Sequence, residues 1–132
     1  MINTVQILST KDIIVARQQG RELAQNYGFS KGDQIRFATA ISELTRNIIT
    51  YAVQGRCEFY TSENEQEHII LAKIIDHGPG IDNPLLAITD GYSSGSGLGL
   101  GLSGAKRLVH EFLIESTPGL TTIEINIKKR KY

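Results

Sequence analysis

The sequence predicts an α+β fold, a two-layer sandwich in which helices cover one face of a mostly antiparallel sheet. Three observations predict it. Segments of helical and of strand-like patterning follow one another as strand, helix, helix, strand, strand, loop, helix, strand, strand, so hairpins group with hairpins and helices with helices. The chain has 132 residues, the size of one domain, and a single domain over 1–132 is expected. Apolar residues make up 40% and charged residues 21%, an ordinary globular composition able to bury a core.

Val5 and Ile7 alternate with Thr4 and Gln6, which predicts a strand over 3–8, and Ser9 and Thr10 then offer a helix N-cap. The helix is expected over 11–27, where Ile13, Ile14, Leu23, Ala24 and Tyr27 recur at helical spacing and Gly28 is a natural stop. After the turn-like Ser30-Lys31-Gly32-Asp33, a second helix is expected over 33–53, with Ile35, Ala38, Ile41, Leu44, Ile48 and Ala52 on or near one face. Two strands follow, over 57–61 and 68–75, joined by polar residues and ending at Asp76. Residues 77–101 are rich in glycine and proline and predict a long loop with a short helix around 85–88. A loop of that length in so small a domain is either a binding segment or a floppy insertion. Leu102, Ala105, Leu108, Val109 and Phe112 predict a helix over 102–112 that exposes Lys106 and Arg107, and strands over 113–117 and 121–128 complete the chain.

Fourteen basic residues balance fourteen acidic ones, so no global field draws the protein to nucleic acid or to an anionic membrane, and neither is expected as a partner. The single cysteine, Cys57, excludes an internal disulfide and a cysteine-based zinc site and suits a reducing compartment. The N-terminus has no signal-peptide pattern and no window approaches a membrane span, so a cytoplasmic location is expected.

Glycine is concentrated at Gly91, Gly95, Gly97, Gly99, Gly101 and Gly104. Gly99-Leu-Gly101-Leu-Ser-Gly104 matches the spacing of a dinucleotide fingerprint, but no strand leads directly into it, and Lys106 is misplaced for a Walker A loop. The physical point survives: glycines that open a helix at Leu102 aim free backbone N–H groups at an anion, unless the segment is only a flexible connection. Glu43 and Asn47 lie four apart and project from one helix face. An acid and an amide so placed suit a Mg²⁺-nucleotide site, where the carboxylate deprotonates a nucleophile, although such pairs on helices are commonly just solvated. Asp76-His-Gly-Pro-Gly80-Ile81 puts a carboxylate at a strand end before glycines that let a flat ring approach; it suits an exocyclic amine such as that of adenine, or serves a turn alone.

Taken together, Glu43-Leu-Thr-Arg-Asn47, Asp76-His-Gly-Pro-Gly80 and Gly97-Leu-Gly-Leu-Gly101, in that order and separation, resemble the N box and the two glycine boxes of the GHKL ATPases, the group of gyrase, histidine kinases and MutL. The pattern spans essentially the whole chain. Within the group the chain most resembles the small serine kinases and anti-sigma factors of partner-switching pathways, and among these the stressosome switch kinases. Ala40-Ile-Ser-Glu-Leu-Thr-Arg-Asn47, Asp90-Gly-Tyr-Ser, Gly104-Ala-Lys-Arg-Leu108 and Glu111-Phe112 carry that likeness.

The resemblance implies a Bergerat fold that binds ATP and Mg²⁺ and phosphorylates serine or threonine on a partner protein. Glu43 would be the general base, Asn47 the Mg²⁺ ligand and Asp76 the acceptor of the adenine amine. Gly78, Gly80 and Ile81 would line the base pocket, Gly97, Leu98, Gly99, Leu100, Gly101 and Leu102 would cradle the phosphates, and residues 82–96 would form the lid. Tyr51 stands where many relatives carry a basic residue, and an aromatic there matches the switch-kinase type. Thr122 would support Asp76 through a water; the last box reads Gly119-Leu-Thr-Thr122, without the second glycine of the family pattern, and leaves Thr121 as the alternative. The implied partners are STAS-domain scaffold and antagonist proteins of a stressosome and, after release, a PP2C-type phosphatase. The rival reading is an anti-sigma factor whose ATP-dependent grip sequesters a sigma factor.

Overall fold

The computed structural model describes residues 1–52, 54–78 and 102–132. The elements run β1 (Asn3–Ile7), α1 (Thr10–Asn26), α2 (Lys31–Asn47), a π-helical turn (Ile48–Ala52), β2 (Gly55–Glu63), β3 (Glu67–Asp76), α3 (Leu102–Arg107), β4 (Glu111–Thr117) and β5 (Leu120–Arg130). The five strands form one sheet in the order β1-β2-β3-β5-β4, and every pairing is antiparallel. The α+β layering follows the sequence expectation.

Alternation sets the faces. On β5, Thr121, Ile123, Ile125 and Ile127 are buried while the residues between them are half-exposed, and β3 turns Ile70, Ala72 and Ile74 to the same side. Phe37, Ala40, Ile41 and Leu44 of α2 and Ala16 and Ala24 of α1 cover that face and complete the core. A Cβ on Gly20 would collide with Cδ1 of Ile41, so glycine is what lets α1 lie against α2 at that point.

Local chemistry sets the helix ends. Asp12 Oδ2 accepts the backbone N–H groups of Leu8 and Ser9, at 2.9 and 3.0 Å, and so ties β1 into the first turn of α1. Those bonds, that of Leu8 foremost, hold the Asp12 carboxyl below the usual carboxylate range. Gly28, at φ +78°, ends α1 in a conformation that disfavours a side chain. Ser30 Oγ accepts the Asp33 N–H at 3.1 Å and caps α2.

Two elements depart from expectation. The second helix is α-helical only to Asn47 and finishes as the π-helical turn, a form that recurs at functional sites. The helix expected over 102–112 stops at Arg107: the Leu108 N–H closes a tight turn on Ala105 O, and the His110 N–H bonds to Asn126 O, which starts the pairing of β4 with β5. Leu108, Val109 and Phe112 still pack on the core, from a turn and a strand. The helix expected around 85–88 lies outside the described residues.

Candidate functional site

The end of α2 with its π-helical turn, the end of β3 and the β4–β5 turn converge at one edge of the helix-covered face. The tightest contact there is between Gly78 and Ala52, where a Cβ on Gly78 would stand 2.6 Å from the Ala52 Cβ. The Gly78 N–H donates to Asp76 Oδ1 at 3.0 Å, and Gly78 O accepts the Gly119 N–H at 2.9 Å. His77 Nδ1 lies 3.2 Å from Gly119 O, a second tie between the segment after β3 and the β4–β5 turn. The Gly78 backbone is therefore held on two sides.

Asp76 is half-buried, and that burial raises its carboxyl above the ordinary value, against the opposing pull of the Gly78 N–H and His77. Its Oδ2 has no hydrogen bond among the described residues. A half-buried carboxylate with one oxygen engaged and one open is suited to accepting from an amine that supplies the missing donor.

The register separates the two threonines that the sequence leaves as alternatives for supporting this carboxylate. Asp76 pairs across the sheet with Thr121, and Thr122 pairs with Ile75. Directly paired residues share a face, so Thr121, which is buried, stands beside Asp76, whereas Thr122 points to the opposite side of the sheet. Thr121 Oγ1 lies 2.6 Å from Ser116 Oγ on β4, which makes Asp76, Thr121 and Ser116 a polar row across three strands. Ser116 had no motif to mark it; only the alternation of Phe112, Ile114 and Ser116 places it on the inner face.

Glu43 and Asn47 share a face of α2, about 6 Å apart along the axis, with Asn47 immediately before the π-helical turn that carries Tyr51 and ends at Ala52. Glu43 is part-exposed and lies 3.4 Å from Arg46 in an ion pair too solvated to hold it firmly. Thr45, fully buried, turns its hydroxyl back to Ile41 O at 2.7 Å, so its polar group is spent inside the helix while Glu43, Arg46 and Asn47 are the part-exposed or exposed polar residues of this stretch. Leu102 opens α3 and is wholly buried in the core. Gly80, Ile81, Gly97, Leu98, Gly99, Leu100 and Gly101 lie outside the described residues. The structure thus brings the π-helical turn that follows the first motif against Gly78 of the second. No helix among the described residues is long and apolar enough to cross a membrane.

Comparisons with known proteins agree with this geometry. Residues 32–131 match the histidine kinase-, DNA gyrase B- and HSP90-like ATPase family. The chain is 44% identical over 117 residues to the serine/threonine-protein kinase RsbT of Bacillus subtilis (strain 168), covering 87% of this chain and 86% of that protein. Among solved structures it resembles the nucleotide-free catalytic domain of histidine kinase ThkA, with a TM-score of 0.57 at 14% identity over 97% of this chain and 99% of that one. It also resembles the Acinetobacter baumannii histidine kinase AdeS, with a TM-score of 0.50 at 17% identity over 96% of this chain and 68% of that one. These two likenesses show the fold. The chain belongs to the histidine kinase-, DNA gyrase B- and HSP90-like ATPase family and, within it, to the RsbT-type serine/threonine protein kinases.

Proposed function

We propose that this kinase transfers the terminal phosphoryl group of ATP, with Mg²⁺, to a serine or threonine of STAS-domain scaffold and antagonist proteins in a stressosome, and that the kinase so released activates a PP2C-type phosphatase. The observation that supports the nucleotide half of this reading is the half-buried Asp76 with its open oxygen, two residues before the Gly78 that packs against Ala52 of the π-helical turn. The partner half draws on the likeness to RsbT over most of both chains.

ATP is the phosphoryl donor, and a Mg²⁺ held with it would supply the positive charge that offsets charge on the transferred group. The chain's own residues position and move protons. Asp76 accepts the adenine amine on its open oxygen, and Thr121, in place of the expected Thr122, supports it from the neighbouring strand. Asn47 offers its side-chain oxygen to the cation, a hard ion that prefers oxygen ligands. Glu43, one turn earlier and part-exposed, takes the proton of the acceptor hydroxyl. By the family resemblance, Tyr51 on the π-helical turn, the glycines at 78 and 80 and Ile81 would line the base, and residues 97–102 would hold the phosphates through backbone N–H groups.

The test is phosphotransfer from labelled ATP to a purified STAS-domain scaffold encoded beside this chain, followed by mass spectrometry of the product. Phosphate on a scaffold serine or threonine is the expected result. ATP binding without transfer, together with retention of a sigma factor, would replace the kinase by the sequestering reading.

A further inference from the structure

Away from the site just described, α1 and α2 leave an open cleft of about 520 Å³ between them on the side remote from the sheet. Arg17 and Arg21 rise along its α1 wall one turn apart, and Ile35, Ala38 and Thr39 form its α2 wall. Both arginines are exposed, and neither takes part in an ion pair or hydrogen bond among the described residues. The acid of the cleft, Glu22, accepts from Gln18 Nε2 at 3.2 Å and forms no ion pair with either arginine, so two cationic groups face one anionic group in the cleft. Ile35 is 49% exposed beside the buried Ala38, a small apolar floor next to two unpaired guanidinium groups.

The direction of the cleft matters as much as its charge. Ile35, Thr39 and Glu43 succeed one another at four-residue steps on α2, so the α2 wall leads from the cleft to Glu43 one turn beyond Thr39. The geometry points to this cleft as the docking groove for the protein substrate: an acidic amphipathic helix of the partner lays carboxylates on Arg17 and Arg21 and an apolar side chain on Ile35 and Ala38. Guanidinium pairs carboxylate through two parallel hydrogen bonds, and two of them one helical turn apart match acids at the same spacing on a partner helix. A partner held there has its neighbouring loop beside Glu43, where an acceptor hydroxyl is needed. The delivery role rests on the kinase reading; the docking itself does not.

Two probes separate them. The first is a fluorescein-labelled helical peptide carrying Glu pairs one turn apart beside leucines, titrated by anisotropy against the wild-type chain and the Arg17→Glu/Arg21→Glu variant. Both substitutions are at exposed positions, and thermal melting and ATP affinity are measured alongside to show that fold and nucleotide site are unchanged. Salt-sensitive binding by the wild type that falls on the order of tenfold or more in the variant is the expected result. Equal binding by both proteins, or none by the wild type, overturns the groove. The second probe is the purified STAS-domain scaffold in the phosphotransfer assay, where the variant should raise KM for the scaffold with little change in kcat. An unchanged KM overturns the delivery role. Absence of transfer by the wild type refutes the kinase reading, and the peptide titration still decides the groove.

Discussion

Thr121 and Ser116 face each other across β5 and β4 with their hydroxyl oxygens 2.6 Å apart, and Thr121 in turn pairs with Asp76 on its other side. The hydroxyl on the strand beside Asp76 is thus itself oriented by a neighbour. Thr121→Val should weaken adenine-nucleotide binding and lower stability by about 1 kcal/mol through the lost hydrogen bond. Thr122→Val, on the other side of the sheet, should leave binding unchanged. Nucleotide titration of the two variants, with denaturant melts, checks this; equal losses would contradict the face assignment.

Gly78 has no room for a side chain against Ala52. Gly78→Ala must push the π-helical turn away from the end of β3, at a cost of about 1–3 kcal/mol for overpacking. The displaced turn carries Tyr51 and follows Asn47, so nucleotide affinity should fall as well. Ala52→Gly in the same chain should recover part of both, since the Cα of residue 52 would still stand 2.9 Å from the new Cβ. Calorimetric titration of the single and double variants measures that recovery.

Burial raises the Asp76 carboxyl above its ordinary value, so ionising it is harder in the folded than in the unfolded chain. The folded state then binds the proton more tightly, and the group costs stability as pH rises through the unfolded value toward the raised one. Asp76→Asn removes that cost. The variant should melt no lower than wild type at neutral pH, the difference should vanish in acid where Asp76 is protonated, and adenine binding should be lost. Stabilising the fold while losing the ligand is the pattern expected of a functional charge. Melts from acid to neutral pH, run beside nucleotide titrations, decide it.

Strand and helix order, the sheet's antiparallel character and the placement of Glu43, Asn47 and Asp76 were legible because each rests on periodicity or on a residue at an element's end. What escaped has physical reasons. Spacing at 3.6 residues carries no sign that the turn over 48–52 widens to π geometry, since Ile48 and Ala52 face the core in either form. Leu108, Val109 and Phe112 satisfy helical spacing yet reach the core from a turn and a strand, because the His110 N–H is committed across the sheet to Asn126 O, a partner distant in sequence. Thr121 and Thr122 are adjacent, and only the pairing register tells which shares a face with Asp76. Ser116 and Ala52 matter through contacts between segments distant in sequence, which no local pattern encodes.

The central claim is that Glu43 moves a proton during transfer while Asp76 holds the base. The most direct measurement is phosphotransfer to the STAS-domain scaffold with wild type, Glu43→Gln and Asp76→Asn in parallel, each with its own nucleotide titration. Glu43→Gln should keep ATP affinity and lose transfer by roughly 10²–10⁴-fold, the usual worth of a general base. Asp76→Asn should lose both binding and transfer. Transfer at the wild-type rate by Glu43→Gln, with ATP still bound, would contradict the account.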